Sequence, residues 1–128
     1  GRSLLSIAAA VGATDIVKLL LNRFKDIDVN SQDLTQLTPL HLASYTNRPS
    51  APELLTHLLQ HPRIDPTITN DFGQTPLHTA ASHNRHALVA KALIKHPRAN
   101  VNGANAQGWT PLNLAIMSGE ADVVKRLL

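Results

Sequence analysis

The sequence predicts an all-α fold, a solenoid of stacked helix-turn-helix pairs joined by short hairpin-like loops. Three observations carry this expectation. A Thr-Pro-Leu motif recurs at a near-constant spacing, an apolar helical segment follows each copy, and polar turn residues precede each copy. The chain has 128 residues, one domain's worth of polypeptide and enough to bury a core. Its composition suits packed helices, with 43% hydrophobic residues, 16% charged and only 3% aromatic.

The motif comes first because a fixed period decides the fold. It reads Thr38-Pro39-Leu40-His41, Thr75-Pro76-Leu77-His78 and Thr110-Pro111-Leu112-Asn113, with Ser3-Leu4-Leu5-Ser6 as a degenerate first copy. The copies start 35, 37 and 35 residues apart. A Thr at the N-cap accepts a bond from an orphan N–H of the first turn, and Pro at the first helical position gives up a donor that had no partner. Each copy therefore starts a helix of about two turns, with Leu5, Leu40, Leu77 or Leu112 in the core. Ala8, Ala43, Ala80 and Ala115 follow at a constant offset, small enough to let the next helix approach. Gly12 and Gly119 suit left-handed C-caps, and Asn47 and Asn84 stand at the same offset.

A second helix follows in each copy. Its apolar quartets are Ile16, Val17, Leu20 and Leu21; Leu54, Leu55, Leu58 and Leu59; Leu88, Val89, Ala92 and Leu93; and Val123, Val124, Leu127 and Leu128. That spacing marks one apolar face. In the second copy an insertion at Thr46 to Pro49 delays the helix, and Ser50 with Glu53 reads as a capping box at its start. Polar turn residues then lead to the next motif: Asp28-Val29-Asn30 with Asp33, Asp65-Pro66-Thr67 with Asn70, and Asn100-Val101-Asn102 with Asn105. They predict an extended, hairpin-like link.

With motif, period and the Asn-x-x-Gly lead-ins Asn70 to Gly73 and Asn105 to Gly108 in place, the chain resembles the ankyrin repeat family over residues 3 to 128. Gln36 stands where that pattern has its turn glycine, Asn113 where it has the motif His, and the first copy lacks the Pro. One domain spanning 1–128 is expected, with approximate repeats 1–32, 33–69, 70–104 and 105–128. Leu127-Leu128 closes the last helix without polar capping substitutions, so the domain is expected to be a fragment of a longer protein.

The resemblance implies a protein-protein interaction module that binds through its hairpin tips and the exposed side of its first helices. Carried over by position, the tip residues are Leu34, Thr35 and Leu37; Asp71, Phe72 and Gln74; and Ala106, Gln107 and Trp109. The groove-facing helix residues are Tyr45 and Thr46, Ser82 and His83, Met117 and Ser118. The register comes from Thr-Pro alone, yet three of the four aromatics, Tyr45, Phe72 and Trp109 but not Phe24, fall on these positions. Aromatic side chains bury much area for little conformational entropy, which makes these three the expected anchors. The resemblance also implies possible hydroxylation of Asn102 and Asn30 by an asparaginyl hydroxylase. Ile94 lies eight residues before Asn102 as an apolar anchor, whereas Asn22 holds that place before Asn30.

Other constellations point away from chemistry. Glu53, His57 and His61 share a helix face at i, i+4 and i+8, but that face turns to solvent, and no metal is expected. His41 and His78 belong to the motif and are expected to bond within and between repeats rather than act as general bases. No nucleophile triad or phosphate-binding glycine run is present, so no enzyme activity and no cofactor are expected. The chain has no cysteine and no apolar run of membrane-spanning length, and an intracellular location, cytoplasmic or nuclear, is expected. The net charge is +3, and no acid occurs between Asp71 and Glu120, where Arg85, Lys91, Lys95 and Arg98 lie with His83, His86 and His96. This basic lobe reads as a solvated face, so neither nucleic acid, membrane nor small-molecule substrate is expected as a partner. The alternative function is that of targeting domain of a larger enzyme or bacterial effector whose catalytic part lies outside this chain, acting in the host cytosol if secreted.

Overall fold

The computed structural model describes residues 1–83 and 87–128. Eight helices occur among them, and no strand. They are α1 (Leu4–Val11), α2 (Thr14–Arg23), α3 (Pro39–Tyr45), α4 (Ala51–Leu59), α5 (Pro76–His83), α6 (Ala87–Lys95), α7 (Pro111–Met117) and α8 (Ala121–Leu127). The first helices α1, α3, α5 and α7 pack side by side in one row, and the second helices α2, α4, α6 and α8 form a parallel row against them. None of the described helices is long and apolar enough to cross a membrane.

The motif residues act as their chemistry predicts. Thr38 and Thr110 are N-caps whose hydroxyls accept from the N–H of His41 and Asn113, each completing a reciprocal capping box. Ser3 does the same for α1 by accepting from Ser6 N–H at 3.1 Å, so the missing Pro leaves that helix start intact. Leu5, Leu40 and Leu77 are almost fully buried, as are Ala8, Ala43, Ala80 and Ala115. Leu112 is half-buried. Gly12 and Gly119 take the left-handed conformation that ends α1 and turns the chain after α7.

Three local expectations are corrected. Asn47 is not a left-handed cap: α3 ends at Thr46 in an extended conformation (φ −70°, ψ 140°), because the inserted residues lead the chain straight away from the helix. The other cap expected from asparagine, Asn84, lies outside the described residues. Ser50 and Glu53 form no capping box. Ser50 has helical dihedrals, and its hydroxyl donates to Gly12 O at 3.0 Å, tying the insertion to the first repeat. Glu53 instead reaches Lys18 at 3.9 Å and His57 at 3.8 Å. Finally, Ile16 and Leu88, the first members of their quartets, are 49% and 58% exposed, so the buried stripe of α2 and α6 is narrower than the quartets imply. Val17, Leu20, Val89 and Leu93 carry it.

Candidate functional site

The links between repeats are three hairpin tips built alike. In each, a short polar side chain at the base gathers the backbone N–H groups of the turn. Asp33 Oδ1 accepts from the N–H of Thr35 at 2.9 Å and of Leu37 at 3.0 Å. Asn70 Oδ1 accepts from Phe72 at 2.9 Å and Gln74 at 3.0 Å, and Asn105 Oδ1 from Gln107 and Trp109, both at 3.0 Å. Main-chain bonds close each turn, from Asp33 N–H to Leu37 O, Asn70 N–H to Gln74 O and Asn105 N–H to Trp109 O. Successive tips are also joined, since Asp71 N–H donates to Thr35 O at 3.3 Å and Ala106 N–H to Phe72 O at 3.0 Å.

The fourth turn position requires a left-handed backbone. Gly73 (φ 69°) and Gly108 (φ 81°) supply it, and Gln36 adopts it too (φ 63°), so the hairpin before the second repeat keeps its shape without glycine. Gly73 has a second reason to lack a side chain: a Cβ there would sit 2.7 Å from Ala106 N in the next tip. At the first junction Gln36 does carry a Cβ, and there the tip-to-tip bond is the longer of the two.

Asp33 is the charged member of the three bases. Burial alone would raise its carboxyl, but the N–H of Leu37, the hydroxyl and N–H of Thr35 and the Arg2 guanidinium outweigh that and hold it down to about 2. Arg2 Nε lies 3.1 Å from its Oδ2.

The motif histidines lock each first helix to the following tip. His41 Nδ1 accepts from Thr38 N–H at 3.2 Å, which leaves the proton on Nε2, and Nε2–H donates to Gln74 O at 2.8 Å. His78 repeats the arrangement on Thr75 and on Trp109 O, at 3.1 Å. Burial pushes both rings below the usual histidine range, an effect that the bonds to Gln74 and Trp109 oppose in part, so both stay neutral near pH 7. A neutral ring with both nitrogens engaged is a structural tie. Asn113 keeps the cap, accepting from Thr110 N–H at 2.8 Å.

This scaffold places the expected binding residues. A pocket of about 420 Å³ opens between the tips and first helices of repeats two and three, lined among others by Leu37, His41, Tyr45, Phe72, Gln74 and His83. Tyr45 and Phe72 are 58% and 69% exposed, and the Tyr45 ring lies 4.8 Å from that of His83, tilted by 40°. Trp109 stands apart from this pocket and is the most covered of the three aromatics, at 38%. Leu34 and Met117 are strongly exposed, as are Thr35, Asp71, Ala106 and Gln107.

Several expected contact residues also serve the framework. Thr46 Oγ1 accepts from Arg48 N–H within the insertion, at 3.3 Å. Ser118 donates to Ser82 O at 3.0 Å, and Ser82 bonds the His83 ring at 2.7 Å. Gln74 offers its carbonyl to His41. Sequence reasoning missed the pocket floor, Leu42 and Thr79, and the Arg2 at its edge. The signal was present: Leu42 lies three residues before Tyr45 and Thr79 four before His83, which puts each on the same helix face.

Asn30 lies off the groove. Its Nδ2 donates to Arg63 O at 2.8 Å and its Oδ1 accepts from Asp65 N–H at 2.9 Å, so it staples two repeats. Asn102, at the matching position, is exposed, and its N–H donates to Asn100 Oδ1. Of the basic lobe, Lys91 is half-buried and Lys95 and Arg98 are exposed, whereas Arg85 and His86 lie outside the described residues. Glu53, His57 and His61 do not converge, as the His61 Nδ1 accepts from Arg63 N–H at 3.1 Å. No group of residues able to hold a metal ion occurs among the described residues.

Comparison with known proteins agrees with this architecture. A family model described as ankyrin repeats (3 copies) matches residues 1–67 and 48–128. The ankyrin repeat-containing protein C6C3.08 of Schizosaccharomyces pombe is 34% identical over 88 residues, covering 69% of this chain and 37% of that protein. The chain thus corresponds to little more than a third of that relative. Motif, paired helices, tip geometry and the family match converge: the chain belongs to the ankyrin repeat family.

Proposed function

We propose that this domain captures a partner protein in the groove formed by its hairpin tips and first helices, with Tyr45 and Phe72 as the principal anchors and Trp109 as a flanking one. Ankyrin repeats generally mediate protein-protein interaction and are typically non-catalytic. The observation that carries the groove reading is the pocket between repeats two and three. It presents two exposed aromatic rings and an aliphatic side chain over a floor whose main chain is already hydrogen-bonded. Exposed large apolar groups on a rigid base lose little entropy on binding and exclude water well.

A capture experiment from cell lysate tests this, with wild-type protein and the variant Tyr45→Ala/Phe72→Ala/Trp109→Ala side by side. The wild type retains a partner that the variant loses by at least about tenfold in affinity, equivalent to roughly 1.4 kcal/mol. The thermal transition stays nearly in place, because these side chains stand largely in solvent. Equal capture by both proteins removes the aromatics from the binding site, and collapse of the variant assigns them to the fold.

The exposed Asn102 is proposed as the better hydroxylation substrate, since Asn30 is held by two inter-repeat bonds. Intact-mass analysis after exposure to an asparaginyl hydroxylase, with Asn102→Ala as control, checks it. An added oxygen that survives this substitution contradicts the assignment.

A further inference from the structure

The second-helix row carries a feature that the groove does not explain. Between α4 and α6 a trough of about 490 Å³ is lined by Leu59, Leu88 and Ala92, with Lys91 and Lys95 on its α6 side and Pro52 at its α4 end. Leu88, Lys91, Ala92 and Lys95 follow the i, i+3, i+4, i+7 spacing, so they form one stripe of α6. Leu88, the second residue of α6, is 58% exposed.

The charges here are one-sided. No carboxylate lines the trough. Glu53, the acid of α4, is not part of the lining and meets Lys18 of α2, and Asp65 is taken by Arg98 at 3.5 Å. Lys91 and Lys95 form no ion pair among the described residues. Two cations one helical turn apart beside an apolar floor complement a segment that presents apolar side chains flanked by carboxylates.

We propose that this trough is a second docking surface, separate from the groove, for an acidic amphipathic segment of a protein partner. The apolar side chains of such a segment cover Leu59, Leu88 and Ala92 while its carboxylates pair with Lys91 and Lys95. Apolar contact supplies affinity, and the lysines supply orientation and a salt-sensitive association rate. A nucleic-acid backbone fits less well, because His96 is the one ring in the lining on which a base could stack and two lysines are few cations for a phosphate run.

Titration of the isotopically labelled full chain with a synthetic helical peptide of Leu and Glu in amphipathic register, followed by amide NMR, tests the proposal. Shifts are expected at Leu59, Leu88, Lys91 and Lys95 and not at the tips. Binding is expected to weaken with added salt and to fall at least about tenfold in Lys91→Glu/Lys95→Glu. The Lys91→Gln/Lys95→Gln variant gives an intermediate loss and guards against misfolding of the charge reversal. The proposal is overturned if these residues do not shift, if a peptide with Lys in place of Glu binds as well, or if oligodeoxythymidylate shifts them more strongly than the peptide. Tyr45→Ala/Phe72→Ala leaves peptide binding unchanged, which separates this surface from the groove.

Discussion

Asp33, Asn70 and Asn105 occupy equivalent places, and the difference between carboxylate and amide has a measurable consequence. All three accept the same pair of backbone N–H groups, so the hairpin needs an oxygen there and no charge. Only Asp33 titrates. Its folded-state value of about 2 lies below the ordinary 3.8, so its ionised form contributes stability that is present above about pH 4 and is lost as the pH falls toward 2. The Asp33 side chain is only 7% exposed, so solvent screens little of that contribution. Asp33→Asn, which copies the other two repeats, is predicted to fold at neutral pH and to lose less stability than wild type between pH 4 and 2 in denaturant titrations. Parallel acid sensitivity of the two proteins contradicts this account of the site. The motif histidines show the same economy of design, since one ring caps its own helix and reaches the next tip.

At the scale of elements, the hairpin before the second repeat holds a left-handed glutamine where its sisters have glycine. A non-glycine residue in that conformation costs about 1–2 kcal/mol, offset in part by the greater freedom glycine brings to the unfolded chain. Gln36→Gly is therefore predicted to stabilise the domain by about 0.5–1 kcal/mol, measured as a rise in the denaturant midpoint with unchanged slope. A loss of stability means that the contacts of the Gln36 side chain outweigh the strain, since glycine keeps the main-chain carbonyl that accepts from Gln32 Nε2.

The elements divide into those legible in the residues and those that were not. Helix starts were legible because Thr-Pro carries both a cap and a fixed backbone angle, and the leucine and alanine offsets followed from one register. The end of α3 was not legible, since an asparagine reports a left-handed cap only when the chain turns back at once, and the inserted residues send it elsewhere. Ser50 and Glu53 have capping-box spacing, yet long-range partners in repeat one, Gly12 O and Lys18, compete successfully for both side chains. The tip and helix positions of the groove were legible by offset. That Tyr45 and Phe72 share a pocket from which Trp109 stands apart depends on the angle between repeats, which no local pattern encodes.

Across the whole molecule, stability in a stack is a sum of repeat and neighbour terms. Leu55 in α4 is fully buried, whereas Leu127 in α8 is only half-buried. Leu55→Ala is predicted to cost about 2–5 kcal/mol and Leu127→Ala less than half as much, measured by chemical denaturation. Equal losses contradict nearest-neighbour behaviour. The same stacking gives the two proposed surfaces their independence, since tips and first helices lie on one side and second helices on the other. The central claim is that the tip and first-helix side holds the partner. Amide hydrogen exchange on the complex with the captured protein tests it most directly. Added protection is predicted at residues 33–37, 70–74 and 105–109 and along α3 and α5, and protection confined to α2, α4, α6 and α8 with the tips unchanged would contradict it.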